Sequence, residues 1–178
     1  MRIIAGKLRH RIIKMTNLET TRETQDKVRG AIFNMIGPYL DFNNCLDLFA
    51  GSGAMGLEAY SRGVKNIYLN DSNLKAIKII EENSKSLNVD AKIYNLDYLE
   101  FIKKIDIKFD LIILDPPYKM DNIEEILDSI LPILAESGIM VFEMKKESKY
   151  PESFNRLKLI KNKEYGIKRV VVYEYWWF

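Results

Sequence analysis

From Asn44 onward the chain alternates short β-branched apolar runs with longer stretches in which apolar residues recur every three or four positions. That rhythm predicts βαβ units and a mainly parallel sheet. Strands are expected over residues 45–49, 66–70, 91–95, 109–114 and 139–144, and helices from a glycine loop through Ser61, then over 73–87, 98–103 and 122–135. Leu74, Ile77, Ile80 and Ser84 mark the packed face of the second of these helices; Ile123, Ile126, Leu127, Ile130 and Leu134 mark that of the last. Ser137-Gly138 turns the last helix into its strand. Residues 156–164 and 168–176 read as two strands joined around Gly166, close enough to pair as an antiparallel hairpin. Before the alternation begins, residues 1–15 alternate loosely around Gly6 as a basic β-hairpin. Thr24 caps a helix over 25–36, with Val28, Ala31, Ile32, Met35 and Ile36 on one face and Gly37-Pro38 as its stop.

Composition narrows the class. The 178 residues suffice for one domain with a full hydrophobic core. No run of 18 apolar residues occurs and no apolar stretch follows the basic N-terminus, which favours a cytoplasmic protein over a membrane or secreted one. The single cysteine, Cys45, falls in a core strand and reads as a buried thiol, and one histidine with one cysteine offers almost no zinc ligands. Net charge is only +2, but residues 1–30 carry eight Lys/Arg against three acids and residues 144–178 nine against four, so the middle is strongly acidic. An acidic centre between basic flanks suits a polyanion held by its phosphates.

The run 109–114 ends in Asp115-Pro116-Pro117-Tyr118. Two prolines offer no N–H to a ladder and restrict the residues before them, so a stiff corner is expected. It presents the Asp115 carboxylate and the Pro116 carbonyl as acceptors, with the Tyr118 ring beside them, at the strand end where open α/β sheets bind ligands. Two acceptors and an aromatic plate fit a flat molecule bearing an NH2 group. Upstream, Asp47-Leu48-Phe49-Ala50-Gly51-Ser52-Gly53-Ala54-Met55-Gly56 contains a complete G-x-G-x-x-G between strand and helix. Such a loop serves a dinucleotide pyrophosphate or the methionine part of S-adenosylmethionine. Asp47 favours the second, because an acid would repel a pyrophosphate. Asp71, at the end of the second strand, suits a ribose diol, and Asp97 an adenine amino group with Leu96 or Tyr98 against the ring; either acid could equally be a helix cap. An amine conjugated to a nucleobase is a poor nucleophile. Holding both its hydrogens, one on Asp115 and one on the Pro116 carbonyl, lets the nitrogen pyramidalise toward a methyl donor.

The opening Met1-Arg2-Ile3-Ile4-Ala5-Gly6-Lys7, Thr21-Arg22, Val28-Arg29 with Phe33-Asn34, the 47–53 loop, Ser61-Arg62-Gly63 and the 115–118 tetrapeptide together resemble the RsmD-type family of bacterial methyltransferases. That family modifies the exocyclic N2 of a guanine in small-subunit ribosomal RNA. The resemblance implies a Rossmann-like class I fold with a seven-stranded, mainly parallel sheet, an antiparallel edge hairpin and a basic hairpin-plus-helix extension over 1–40 before a core over 41–178. It implies S-adenosylmethionine as cofactor, bound by Asp47, Phe49, Ala50, Gly51, Ser52, Gly53, Asp71, Asp97 and Tyr98, with Asp115, Pro116, Pro117 and Tyr118 as the catalytic set. Arg2, Lys7, Arg9, His10, Arg11, Lys14, Arg22 and Arg29 would meet RNA phosphates. The partner is 16S rRNA or a partly assembled small subunit, the protein a metal-free monomer. Adenine-N6 methyltransferases share the tetrapeptide, and an NAD(P) oxidoreductase or a non-catalytic rRNA-binding assembly factor are the readings of other classes. The chain departs from the family at Glu23 (usually Pro), at Asp71 (usually Glu) and at Gly166-Ile167-Lys168 (commonly Gly-Asp/Lys-Thr); the last is expected to leave catalysis untouched.

Overall fold

The computed structural model describes residues 1–17 and 26–176. Strands β1 (Asn44–Asp47), β2 (Asn66–Asn70), β3 (Lys92–Tyr94), β4 (Phe109–Leu114) and β5 (Leu134–Lys145) pair in parallel. Strand β6 (Ser153–Phe154) pairs antiparallel with β7 (Leu157–Tyr165), β7 with β8 (Lys168–Tyr175), and β8 with β5. All belong to one sheet in the order β3-β2-β1-β4-β5-β8-β7-β6. The seven expected strands are present, and the two-residue β6 adds an eighth at the edge. The order reverses between β1 and β4, which puts the sheet's switch point, where open α/β sheets bind ligands, at their carboxyl ends.

Helices α1 (Asp26–Ile36), α2 (Ala54–Ser61) and α3 (Leu74–Leu87) contribute Ile32, Phe33, Leu57, Ile77 and Ile80 to a core on one face of the sheet. Helices α4 (Tyr98–Lys104) and α5 (Ile123–Ile130) bury Phe101, Ile123, Ile126, Leu127 and Ile130 on the other. Parallel strands covered on both faces read as continuous apolar runs, hence the unbroken Leu111–Leu114. Cys45 is fully enclosed in β1, and burial, with Asp47 and Asp110 behind it, pushes its thiol pKa well up. Among the described residues no helix is long and apolar enough to cross a membrane.

Two elements differ from expectation. The helix expected over 122–135 ends at Ile130, because Pro132 has no N–H for the carbonyl one turn back; a 3-10 turn (Leu131–Ile133) leads straight into β5, whose Leu134 already pairs with Phe109. The expected N-terminal hairpin shrinks to a single bridge, Arg2↔Ile12. Its backbone groups divide between the arm itself, where Ile3 N–H donates to the Arg11 carbonyl (2.9 Å) and His10 N–H to the Ile3 carbonyl (2.9 Å), and α2, where Glu58 accepts from the N–H of Ile4 (2.9 Å) and Ala5 (3.1 Å) and Ser61 Oγ accepts from Leu8 N–H (2.9 Å). Thr24, the expected cap of α1, lies outside the described residues.

Candidate active site

The corner forms as its prolines dictate. Leu114 is the last residue of β4; Pro116 is buried, Pro117 exposed, and the Met120 N–H closes a tight turn on the Pro117 carbonyl at 2.8 Å. Ser148 Oγ, beyond β5, donates to Asp121 Oδ1 at 2.5 Å, tying the next loop to the corner's exit. Tyr118 is half-buried with its hydroxyl enclosed and without a hydrogen-bond partner among the described residues. Lys145 Nζ lies 5.6 Å from its ring centroid. That is the setting of a stacking ring rather than of a hydroxyl acid.

Across the switch point lies the glycine loop. Gly51 (φ +57) and Gly53 (φ +79) are left-handed, as the sharp turn requires. Gly56 allows α2 to press on β2: a Cβ there would lie 2.2 Å from Leu69 Cδ2. Asp47 is only 2% exposed and its Oδ2 accepts from Gly56 N–H at 3.0 Å, so it braces the start of α2 from beneath and places its charge under the loop. Asp71 Oδ2 accepts from Gly51 N–H (2.9 Å) and Oδ1 from Asn73 N–H (2.8 Å), which joins the end of β2 to the loop. A carboxylate has about four acceptor sites, so these bonds are compatible with a ribose diol. Exposed Asp97 caps α4 through Leu99 N–H at 2.9 Å, and beside it Phe49 and Tyr98 stand with ring centroids 5.7 Å apart. Burial, then Glu125 and Asp97, raise the Tyr98 pKa, keeping it a neutral ring. Half-buried Phe49 and nearly buried Ala50 complete the wall. An acidic edge with a diol acceptor and paired rings fits an adenosine attached to a cationic sulfur.

Several placements change. Ser52 is 0% exposed and its carbonyl accepts from Asn83 Nδ2 at 2.9 Å, so its side chain is enclosed and its backbone holds the loop from behind. Arg29, expected on the RNA surface, is fully buried: it bonds Asp26 (3.0 Å) and the Arg2 carbonyl and pairs with Glu58 (3.5 Å), because Glu58 beneath the arm needs countercharge. Arg22 lies outside the described residues. Arg2, Lys7, Arg9, His10, Arg11 and Lys14 are exposed, with Lys7 3.6 Å above the Tyr60 ring at the end of α2. Lys14 pairs with Glu82 at 2.6 Å.

Two features escaped the sequence reading. Buried Asn70 donates to the carbonyls of Leu48 (3.1 Å) and Leu96 (3.0 Å) and accepts from Leu96 N–H (3.2 Å), clamping the ends of β1, β2 and β3. A polar residue closing an apolar strand was its only signal. The other is an ion pair between Glu143 on β5 and Lys168 on β8, side chains 4% and 11% exposed.

The reversal of strand order at a glycine loop, and an edge acidic where a pyrophosphate would demand the opposite, make this a class I methyltransferase, the class whose methyl donor is S-adenosylmethionine. The narrower relationship comes from comparison. Residues 1–174 match the family described as Conserved hypothetical protein 95, the RsmD family, and the chain belongs to it. YlbH of Bacillus subtilis is 39% identical over 181 residues, covering 98% of each chain. Ribosomal RNA small subunit methyltransferase D of Haemophilus influenzae is 31% identical over 98% of this chain and 93% of its own. The solved structure of yhhF from Escherichia coli superposes with a TM-score of 0.86 at 28% identity, covering 98% of this chain and 97% of that one.

Proposed function

We propose that the protein methylates the exocyclic N2 of one guanine in 16S rRNA, presented in a whole or partly assembled small ribosomal subunit, and that it acts as a cytoplasmic monomer. The observation that carries the reading is the Asp115-Pro116-Pro117-Tyr118 corner placed beside the glycine loop at the sheet's switch point. The Haemophilus relative, a small-subunit rRNA methyltransferase by name, supports the choice of polymer.

S-adenosylmethionine supplies a methyl group on a positively charged sulfur. Gly51 and Gly53 give the backbone room to approach it, Asp71 and Asp97 accept from its ribose and adenine, Phe49, Ala50 and Tyr98 flank the ring, and Asp47 contributes negative charge from below. The target base must leave its helix to reach the corner. Tyr118 then stacks on it, a contact worth ~1–3 kcal/mol. Asp115 and the Pro116 carbonyl each accept one amine hydrogen, which turns the nitrogen lone pair out of the ring plane, and the two prolines keep those acceptors fixed before the base arrives. The proton lost after transfer leaves to water.

Small subunits purified from cells lacking the gene, incubated with the protein and labelled S-adenosylmethionine, should gain N2-methylguanosine at one position. N6-methyladenosine in its place would overturn the choice of base. Asp115→Ala should lower the rate by about 100-fold or more, while subunit binding, measured by sedimentation, stays near wild type.

A further inference from the structure

The catalytic edge does not stop at Asp115. Strand β5 pairs with β4 in the register Leu114↔Phe142, so the residues that follow, Asp115 and Glu143, come side by side on one face of the sheet. Glu143 is 4% exposed, and a carboxylate is almost never enclosed without a partner. Its partner is Lys168, diagonal to it across the β5–β8 ladder, where Glu143 faces Val170 and Lys145 faces Lys168. The groups around the Lys168 ammonium are Glu143 and Lys145 from β5, Asp115 and Tyr118 from the corner, and on β7 Tyr165, whose ring has Lys163 Nζ 5.6 Å from its centroid. This face otherwise buries valines, Val141, Val170 and Val172. A buried ion pair is no more stabilising than an apolar pair of like volume, so its presence asks for a role.

We propose that Lys168, anchored by Glu143, is a positioning residue for methyl transfer: its ammonium orients the Asp115 side chain and keeps it an acceptor for the target amine. The inference rests on the reading of Asp115 given above. Without the ammonium, two carboxylates stand next to each other in a half-buried site, and one is driven to take up a proton. A protonated Asp115 donates where it must accept, and the amine keeps its lone pair conjugated. Burial by itself would weaken the hold of Lys168 on its proton, but Asp115, Glu143 and Tyr118 outweigh it and raise its pKa, so the ammonium persists throughout the working range. The Gly166-Ile167-Lys168 turn, where the sequence departs from its family, thus reaches the corner through Lys168.

The test compares Lys168→Met, Lys168→Arg, Glu143→Gln and Asp115→Ala in the full chain, with small subunits lacking the modification as substrate. Wild-type KM for S-adenosylmethionine with kcat down about tenfold, and the acid limb of the kcat–pH profile raised by about one unit, is the result expected of Lys168→Met. Lys168→Arg should restore both. Glu143→Gln, which leaves the ammonium to Asp115 alone, should hold the limb at or below its wild-type position. A wild-type kcat and pH profile in Lys168→Met overturns the proposal. If that variant does not fold, an upward shift of the limb in Glu143→Gln overturns it instead. Full activity of Asp115→Ala would sink the underlying reading of the corner, whereas an inactive Asp115→Ala beside an unaltered Lys168→Met would sink only the role of Lys168.

Discussion

Asn70 shows what one amide does at the end of a strand. Its three hydrogen bonds fix the separation of the β1, β2 and β3 termini, from which Asp47, Asp71 and Asp97 project. Replacement by Ala leaves two carbonyls and one N–H without this partner in a closed site, each such loss costing about 1–3 kcal/mol. Asn70→Ala should therefore lower unfolding stability by about 3 kcal/mol in urea titrations and weaken S-adenosylmethionine binding more than the loss of a single cofactor contact would. The glycine loop, the strand-end acids and the corner were legible because their local patterns are rare: glycines at left-handed positions, acids closing apolar strands, two prolines after a buried run. Asn70 and the Glu143–Lys168 pair were not, since their meaning lies in partners 26 and 25 positions away. Arg29 misled for the same reason: a basic residue near a basic arm reads as surface until Glu58 is seen beneath it.

At the scale of elements, the N-terminal arm and α2 form one unit. Glu58 takes two arm N–H groups while pairing with Arg62 at 2.8 Å, and Ser61 Oγ takes one N–H and donates to the Ala5 carbonyl at 2.6 Å. Gly6 (φ +82) lies so close that a Cβ would be 1.9 Å from the Ser61 carbonyl oxygen, a backbone atom that cannot swing away. Gly6→Ala should thus lift the arm: trypsin cleavage between Lys7 and Lys14 accelerates, and affinity for the small subunit falls while S-adenosylmethionine affinity holds. Alternation over 1–15 signalled a chain that doubles back, but residues 5–10 are bends and turns, and the pattern could not say what would receive the arm's hydrogen bonds. Some pair across the arm, Ile3 N–H with the Arg11 carbonyl and Ile13 N–H with the Met1 carbonyl, while those of Ile4, Ala5 and Leu8 go to side chains of α2, so only one bridge forms. The end of α5 was misjudged similarly, apolar spacing through Leu134 outvoting Pro132.

For the whole molecule, buried titrating groups set a one-sided pH response. Burial raises the Cys45 thiol, with nearby carboxylates adding, and raises the Tyr165 hydroxyl; burial with neighbouring Tyr150 and Glu124 raises Tyr173 as well. The folded state keeps these protons where the unfolded chain releases them, from about pH 8.5 for the thiol and about 10 for the phenols, so stability falls as pH rises. Lys168 adds the same sign: its contribution is complete below about pH 10.4 and lost as pH climbs through its raised folded value. The denaturant midpoint should be level from pH 6 to 8 and decline above about 8.5. Cys45→Ala should be less stable throughout yet level to about pH 10. The βαβ alternation had already announced the architecture, because sheet order follows from how parallel strands must be connected; the uneven spread of charge announced a polyanion but not the face that meets it.

Asn83 carries a consequence for motion. Its side chain accepts from Lys14 N–H at 2.8 Å and donates to the carbonyls of Lys14 (3.0 Å) and Ser52 (2.9 Å), while the residue itself is 1% exposed. Opening the arm at Lys14 therefore loosens the glycine loop, and stiffening the loop closes the arm. S-adenosylmethionine should slow amide hydrogen exchange at Lys14, whose N–H is held by Asn83, and Asn83→Ala should abolish that slowing. The protein would then grip its RNA most firmly when already charged with a methyl group.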